Sequence, residues 1–188
     1  MARPGDKAVE YVKNIDAMAW PELRTLWNAI KTGSLDNWEE GKAFEHLVIR
    51  GFALSDLDVE YPYDVPAGGN PLEQIDGLVV LGCNFFLVEC KDKEKVAVEP
   101  IAKLRNQLLR RPETTFGCVF VSGEFTSAAL IIADFSVPHR ILLWSGYEVE
   151  ECITRKDFKR MLQDKYRHLC KYGLTDHSSY YKELEVPA

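Results

Sequence analysis

The stretch from Asn84 to Lys91, NFFLVECK, places two charged residues directly after an apolar run. The apolar half predicts a strand in the centre of a β-sheet, buried on both faces. Because side chains alternate along a strand, Glu89 and Lys91 project from one face and Cys90 from the other. Placing charges at the end of a buried strand costs on the order of several kcal/mol unless they are paired or hold a metal. The pattern therefore indicates a functional site.

The preceding stretch, QIDGLVVL, supplies a further carboxylate, Asp76. If a two-residue turn pairs Gly82 with Phe85, Asp76 lies opposite Lys91 on the same face, within roughly 5 to 8 Å at Cβ. A slip of one residue would turn Asp76 to the other face, and the sequence does not fix the register. The convergence of Asp76 with Glu89 and Lys91 is a hypothesis at this point.

Two carboxylates beside one ammonium group suit the hydrolysis of a phosphodiester bond. Mg²⁺ prefers oxygen ligands and commonly lies between one or two carboxylates and a phosphate. It acidifies a bound water, and a neighbouring lysine orients that water or stabilises the developing charge. The structural alternative is a salt-bridge network on an ordinary hairpin.

The order Asp76, then Glu89-Cys90-Lys91, resembles the motif of the PD-(D/E)XK nuclease superfamily, which has the restriction-endonuclease-like fold. A departure from the motif is Ile75, which stands where the superfamily name has proline. The motif is short, so its specificity comes from the strand, turn and helix that surround it.

The resemblance extends to the helices on either side of the strands and covers residues 36–122. Many members carry an acidic residue on the helix before the strands, and the segment GKAFEHLV offers Glu45 there. The helix after the third strand often carries a glutamine that orients the site, and LRNQLLRR offers Gln107. Arg111 occupies the place where one branch of the superfamily has a tyrosine, which argues against membership of that branch.

The resemblance implies a Mg²⁺-dependent endonuclease that acts on DNA, with Mn²⁺ able to substitute. Asp76, Glu89 and the backbone carbonyl of Cys90 would hold the metal. Glu45 would assist the metal or its water, and Lys91 would position or activate the nucleophile. A homodimer is a further expectation, since members usually cut two strands as dimers.

Helical spacing of apolar residues from Lys7 to about Gly51 predicts three amino-terminal helices, the third beginning near Asp36 or Asn37. A change to strand-like composition then predicts three strands, in LDVEYPYDV, QIDGLVVL and FFLVECK. The segment from Asp64 to Asn70 has the composition of a loop.

Alternating helices and strands are expected in the carboxy-terminal half. The spacing predicts a helix from Glu99 to Arg111, a short helix from Thr126 and a long helix from about Arg155 to Cys170. Two further strands are predicted, in TFGCVFVS and RILLWS.

This order predicts an α/β fold with a mixed central sheet, which by the resemblance is a restriction-endonuclease-like three-layer domain with an αβββαβ core. The whole chain, 1–188, is expected to form a single domain. Within it we expect an amino-terminal helical extension over 1–35, the nuclease core over 36–122, and a carboxy-terminal strand and helices over 123–188.

Composition is that of a globular protein, with 188 residues of which 46% are hydrophobic. No apolar run approaches the roughly 18 residues of a membrane span, and the start lacks the apolar stretch of a secretory signal. The five cysteines are odd in number and form no CxxC motif. They predict reduced packing residues in a cytoplasmic protein that does not contact a membrane.

The net charge of −6 argues against coating nucleic acid by bulk attraction, but the charge is uneven. The segment 100–111 carries four basic residues and no acid: Lys103, Arg105, Arg110 and Arg111. Contact with phosphates and a solvated helix face are both open interpretations of it.

Two functional alternatives also remain: a nuclease-like module without turnover that binds nucleic acid or protein, and a hydrolase of RNA.

Overall fold

The computed structural model of the chain describes residues 4–36, 38–67, 70–135 and 141–175. The helices are α1 (Pro4–Asp16), α2 (Trp20–Thr32), α3 (Lys42–Ala53), α4 (Glu99–Leu108), α5 (Ser127–Asp134), α6 (Gly146–Arg155) and α7 (Phe158–Tyr172). The strands are β1 (Asp58–Glu60), β2 (Tyr63–Ala67), β3 (Asn70–Ile75), β4 (Gly77–Leu81), β5 (Asn84–Lys91), β6 (Lys95–Val96), β7 (Thr115–Val121), β8 (Glu124–Phe125) and β9 (Ile141–Trp144).

Five strands form the central sheet in the order β1-β4-β5-β7-β9. The pairs β1–β4 and β4–β5 are antiparallel, whereas β5–β7 and β7–β9 are parallel. The α/β fold with a mixed sheet is therefore confirmed. Two small sheets, β2–β3 and β6–β8, lie outside it.

Two hydrophobic clusters cover the two faces of the sheet and make three layers. One cluster joins α2, α3, α6 and α7 to the face that carries Phe86, Val88 and Cys90. The other joins α4 and α5 to the face that carries Leu87 and Val119. Strand β5 is buried on both faces because it lies between both clusters, as its apolar sequence predicts.

The three amino-terminal helices are confirmed, but the predicted start of the third near Asp36 or Asn37 is wrong. Helix α3 begins at Lys42, after Gly41, whose backbone is left-handed with φ 78°. A left-handed residue cannot belong to a right-handed helix, so the helix cannot extend further towards the amino terminus. Asn37 itself lies outside the described residues.

The predicted three strands between 57 and 91 are five in the structure. The first predicted strand divides around Pro62 into β1 and β2, and the second divides at Asp76 into β3 and β4. The predicted loop from Asp64 to Asn70 is also wrong, since β2 and β3 pair as an antiparallel hairpin, with 68–69 outside the described residues.

The long helix predicted from Arg155 to Cys170 is wrong in its start, and helix α6 precedes it. Ser145 caps α6, and Glu148 completes a capping box with it. Lys156, with φ 58°, ends α6 because a left-handed residue stops the helix. Helix α7 then begins three residues later than Arg155 and continues past Cys170.

Candidate active site

The turn between β4 and β5 sets which residues meet at the site. Leu81 pairs with Asn84 and Gly77 with Val88, so the expected pairing of Gly82 with Phe85 is wrong. Gly82 instead lies in the turn with φ 63°, a conformation that suits glycine. The true register differs from the expected one by two residues. Because side chains alternate every second residue, Asp76 still lies on the same face of the sheet as Glu89 and Lys91. Extended by one residue, the true register puts Asp76 across from Glu89 rather than Lys91.

Asp76 lies in the bend between β3 and β4 and is buried. Its Oδ2 accepts a hydrogen bond of 2.9 Å from the backbone N–H of Cys90. In an extended strand, the N–H and C=O of one residue face the same neighbouring strand. The carbonyl of Cys90 therefore faces the side on which Asp76 lies, beyond the end of β4.

Glu89 is the most deeply buried acid of the group, with 1% of its side chain exposed. Its Oε2 lies 2.5 Å from Lys103 Nζ, and its Oε1 lies 2.8 Å from Lys91 Nζ. The contact with Lys91 is close enough for an ion pair, but Oε1 has no partner with the geometry of a hydrogen bond. A buried carboxylate oxygen is thus left with capacity for a further ligand.

Glu45 reaches the site from α3, the layer on the other face of the sheet from α4. Its Oε2 lies 2.6 Å from Lys42 Nζ, and the residue is buried. Burial, and then the charge of Asp76, raise the pKa of Glu45 to about 7, although Lys42 and Lys91 oppose the shift. The influence of Asp76 and Lys91 shows that Glu45 belongs to the same electrostatic cluster.

The remaining pKa shifts follow from the same crowding of charges. Burial, followed by the charge of Glu89, raises the pKa of Asp76. Burial alone would lower the pKa of Lys91, but its contact with Glu89 and the charges of Glu89 and Asp76 raise it overall. Lys91 is therefore an ammonium group at neutral pH.

Gln107 is buried on α4 and contacts the strand that leads to Asp76. Its Nε2 donates to the backbone carbonyl of Gln74, at 3.3 Å. The contact fixes the end of β3 two residues before Asp76, so Gln107 acts on the backbone near the site.

The basic segment of α4 and the residues after it face carboxylates of the same chain. Arg110 and Arg111 both pair with Glu73 on β3, and Arg111 Nη2 lies 2.8 Å from its Oε2. Lys103 pairs with Glu89. Three of the four basic residues noted in the sequence thus have internal partners, and Arg105 is exposed.

The donor set fits a divalent cation that keeps water ligands. No group of three or more His, Cys, Asp or Glu side chains within the described residues is arranged to hold a metal alone. Mg²⁺, however, is usually bound through one or two carboxylates together with waters. Asp76, Glu89 with its unsatisfied oxygen, and the carbonyl of Cys90 supply that smaller set.

The family of the chain follows from a match that spans this site. Residues 35–153 match the family model Mrr_cat, described as a restriction endonuclease. The chain belongs to this family. The resemblance to the PD-(D/E)XK superfamily is thereby confirmed.

Solved structures similar to this Mrr_cat chain have low identity to it. AF1548, a protein of unknown function, is 17% identical, with 70% of this chain and 77% of that chain covered and a TM-score of 0.47. The DNA modification-dependent restriction endonuclease AspBHI is 15% identical, with 82% and 38% covered and a TM-score of 0.42. The restriction endonuclease MspJI, solved in complex with a 27-mer oligonucleotide, is 20% identical, with 78% and 32% covered and a TM-score of 0.43.

The chain spans 38% and 32% of the lengths of AspBHI and MspJI. No curated protein matches its sequence.

None of the helices that the structure describes is both long and apolar enough to cross a membrane.

Sequence reasoning missed Lys42 and the contact of Lys103 with the site. Lys103 lies four residues before Gln107 on α4, so the two residues share a helix face. Lys42 lies three residues before Glu45 on α3 in the same way. The spacing of three or four residues from Glu45 and Gln107 is the sequence signal for both lysines.

Proposed function

We propose that this Mrr_cat chain is a Mg²⁺-dependent endonuclease that hydrolyses phosphodiester bonds in DNA. Membership of a restriction endonuclease family supports the action on DNA. The single observation that carries the metal-dependent chemistry is the hydrogen bond from Cys90 N–H to Asp76, beside Glu89 and Lys91. It brings two acids, one ammonium group and one backbone carbonyl to the same end of β5.

In this proposal Asp76, Glu89 and the carbonyl of Cys90 hold Mg²⁺, with Mn²⁺ able to substitute. The bound ion supplies an acidified water and neutralises charge on the phosphate. Asp76 is oriented for this role by the Cys90 N–H, and Glu89 by the lysines on its two oxygens.

Lys91 stabilises the negative charge that develops on the phosphate. Its pKa is raised by Glu89 and Asp76, which favours a positively charged ammonium group at this position. With 37% of its side chain exposed, its ammonium group is accessible to a substrate from solvent. A fixed positive charge beside the reacting phosphate lowers the barrier by electrostatic stabilisation.

Glu45 and Gln107 complete the proposed site from opposite layers. Glu45 lies close enough to Asp76 for their charges to interact, and assists the metal or accepts a proton from its water. Gln107 is a positioning residue, because it acts through the backbone of Gln74. A homodimer, which would cut both strands, and a cytoplasmic location belong to the same proposal.

Cleavage of plasmid DNA tests the proposal directly. We expect wild-type protein with Mg²⁺ to cut the plasmid, and Lys91→Ala to be slower by about 100-fold or more, since it loses the charge at the phosphate. Lys93→Ala is the matched control, because Lys93 is an exposed lysine two residues away and should keep wild-type activity. Equal rates for Lys91→Ala and wild type would remove Lys91 from the mechanism.

The ion pairs of Glu89 with two lysines favour a second candidate, a nuclease-like module that binds nucleic acid or protein without turnover. Such a module would bind DNA but leave plasmid intact with either Mg²⁺ or Mn²⁺. Parallel assays with RNA distinguish a hydrolase of RNA from one of DNA.

A further inference from the structure

Lys103 holds an unusual position for a surface lysine, because its ammonium group contacts the most buried acid of the site. Its side chain is 43% exposed, whereas that of Glu89 is 1% exposed, and their ion pair measures 2.5 Å. Lys91 occupies the other carboxylate oxygen. Glu89 thus has two cationic partners, one from its own strand and one from α4.

The backbone of Lys103 is fixed, but its ammonium group can move. Ile101 and Leu104 are fully buried on either side of it and hold α4 against the sheet. The lysine stem has four flexible carbons, and its exposed part borders solvent. The ammonium group can therefore leave Glu89 without displacing the helix.

A divalent cation and Lys103 compete for the same carboxylate. A buried carboxylate needs a partner at all times, since an unpaired buried charge is costly. Lys103 meets that need when no metal is bound, and a metal on Glu89 meets it instead, whichever oxygen it takes. The positive charge of Lys103 on Oε2 therefore opposes metal binding and lowers the apparent affinity for the metal.

We propose that Lys103 neutralises Glu89 until a divalent metal replaces it, and then binds a backbone phosphate of the DNA. The proposal rests on the proposed function, since it takes Glu89 as a metal ligand. In this scheme Lys103 is a DNA-binding residue. It couples metal binding to DNA binding, because the released ammonium group becomes available at the edge of the site, where the substrate must lie.

The metal half of the proposal is tested by calorimetric titration with Mn²⁺ in the absence of DNA. Lys103→Gln should bind Mn²⁺ about tenfold more tightly than wild type, because no ammonium group has to be displaced. Arg105→Gln is the matched control: Arg105 is exposed on the same helix, and its loss also removes one positive charge. It should change the affinity much less. Lys103→Met, which keeps an apolar stem, should behave as Lys103→Gln does.

The phosphate half is tested by DNA binding in a Lys91→Ala background, which slows cleavage so that binding can be measured first. With Mn²⁺ present, adding Lys103→Gln should weaken binding and reduce the slope of log affinity against log salt by about 0.9, the loss of one phosphate contact. Without Mn²⁺ the same change should leave the slope unaltered, since Lys103 then stays on Glu89. A slope that does not depend on Lys103 in Mn²⁺ would overturn this half.

The titration separates failure of this inference from failure of the proposed function. If wild type binds Mn²⁺ and Lys103→Gln binds it equally or more weakly, the inference is wrong and the metal site stands. If neither wild type nor Lys103→Gln binds Mn²⁺, both are wrong. If Lys103→Gln alone binds detectably, the inference is upheld in its strongest form.

Discussion

At the scale of single residues, the site is a set of acids that each have a nearby donor. Glu45 has Lys42, Asp76 has the N–H of Cys90, and Glu89 has two lysines. Such pairing keeps several buried acids compatible with a stable fold. The pairing does not offset burial and mutual repulsion, which raise the pKa values of Glu45 and Asp76. The unmet demand for positive charge is what a divalent cation would supply.

The raised pKa of Glu45 predicts a dependence of stability on pH. Its pKa rises from 4.5 to about 7 on folding, mainly through burial, so between these values the folded chain binds more protons than the unfolded chain. The free energy of unfolding should therefore fall as the pH rises through this interval, and the contribution is fully present below pH 4.5. Glu45→Gln should flatten the fall. Chemical denaturation across the interval measures it.

Glu40→Gln is the control for that experiment, because Glu40 is an exposed acid shortly before α3. It should leave the wild-type profile in place. If Glu45→Gln keeps the same fall in stability as wild type, the carboxyl group of Glu45 is not protonated in the folded state as described. The shift of Asp76 has the same sign, so part of the fall should persist in Glu45→Gln.

Alternation along β5 correctly predicted that Glu89 and Lys91 share one face, because that property depends on the backbone alone. The partner of Glu89 on α4 could not be predicted in this way. Lys103 reaches Glu89 from a different layer, and such a contact depends on how a helix docks on the sheet. The position of Asp76 was predicted only in part. The face of the sheet on which it lies followed from the alternation of side chains, but its partner on β5 depended on the turn.

At the scale of elements, the hairpin of β4 and β5 positions the acids, and α3 packs closely against its start. A Cβ added at Gly77 would lie 2.2 Å from Cδ1 of Ile49, well inside contact distance. The approach of α3 therefore leaves little room for a side chain directly after Asp76. Gly77 allows the chain to pass from β3 to β4 close to α3, and Asp76 lies at this point.

Gly77→Ala should destabilise the protein by about 1 to 3 kcal/mol, because the added methyl group forces Ile49 or the strand to move. Thermal or urea denaturation measures the loss. Combining it with Ile49→Val removes the nearest atom and should recover part of the stability. If Gly77→Ala is as stable as wild type, the close approach of α3 does not constrain the hairpin.

Elements with strong local patterns were predictable, and those that depend on neighbouring elements were not. The buried strand β7 and the helix α5, capped by Thr126, match their sequence patterns closely. The capping box of Ser145 and Glu148 is a local signal of the same kind, and it marks the start of α6. The hairpin of β2 and β3 is stabilised from outside, through the pairing of Glu73 with two arginines, and its sequence resembles a loop.

At the scale of the whole molecule, the three layers bring acids and lysines from both faces to one end of the sheet. Lys42 and Glu45 come from α3, Lys103 comes from α4, and Glu89 and Lys91 come from the strand between them. The net charge of −6 makes this local supply of lysines important for any approach of DNA. The mixed sheet supports the arrangement because β5 is central and reaches the site with its buried end.

The central claim is that Asp76 and Glu89 together bind a divalent cation. Calorimetric titration of wild type and Asp76→Asn with Mn²⁺ tests it most directly, because asparagine can still accept the hydrogen bond from Cys90. Asp92→Asn is the control, since Asp92 is a nearby acid whose carboxylate accepts a hydrogen bond from Ser122. The account predicts Mn²⁺ binding by wild type and Asp92→Asn that is lost in Asp76→Asn. Equal binding by Asp76→Asn would contradict it.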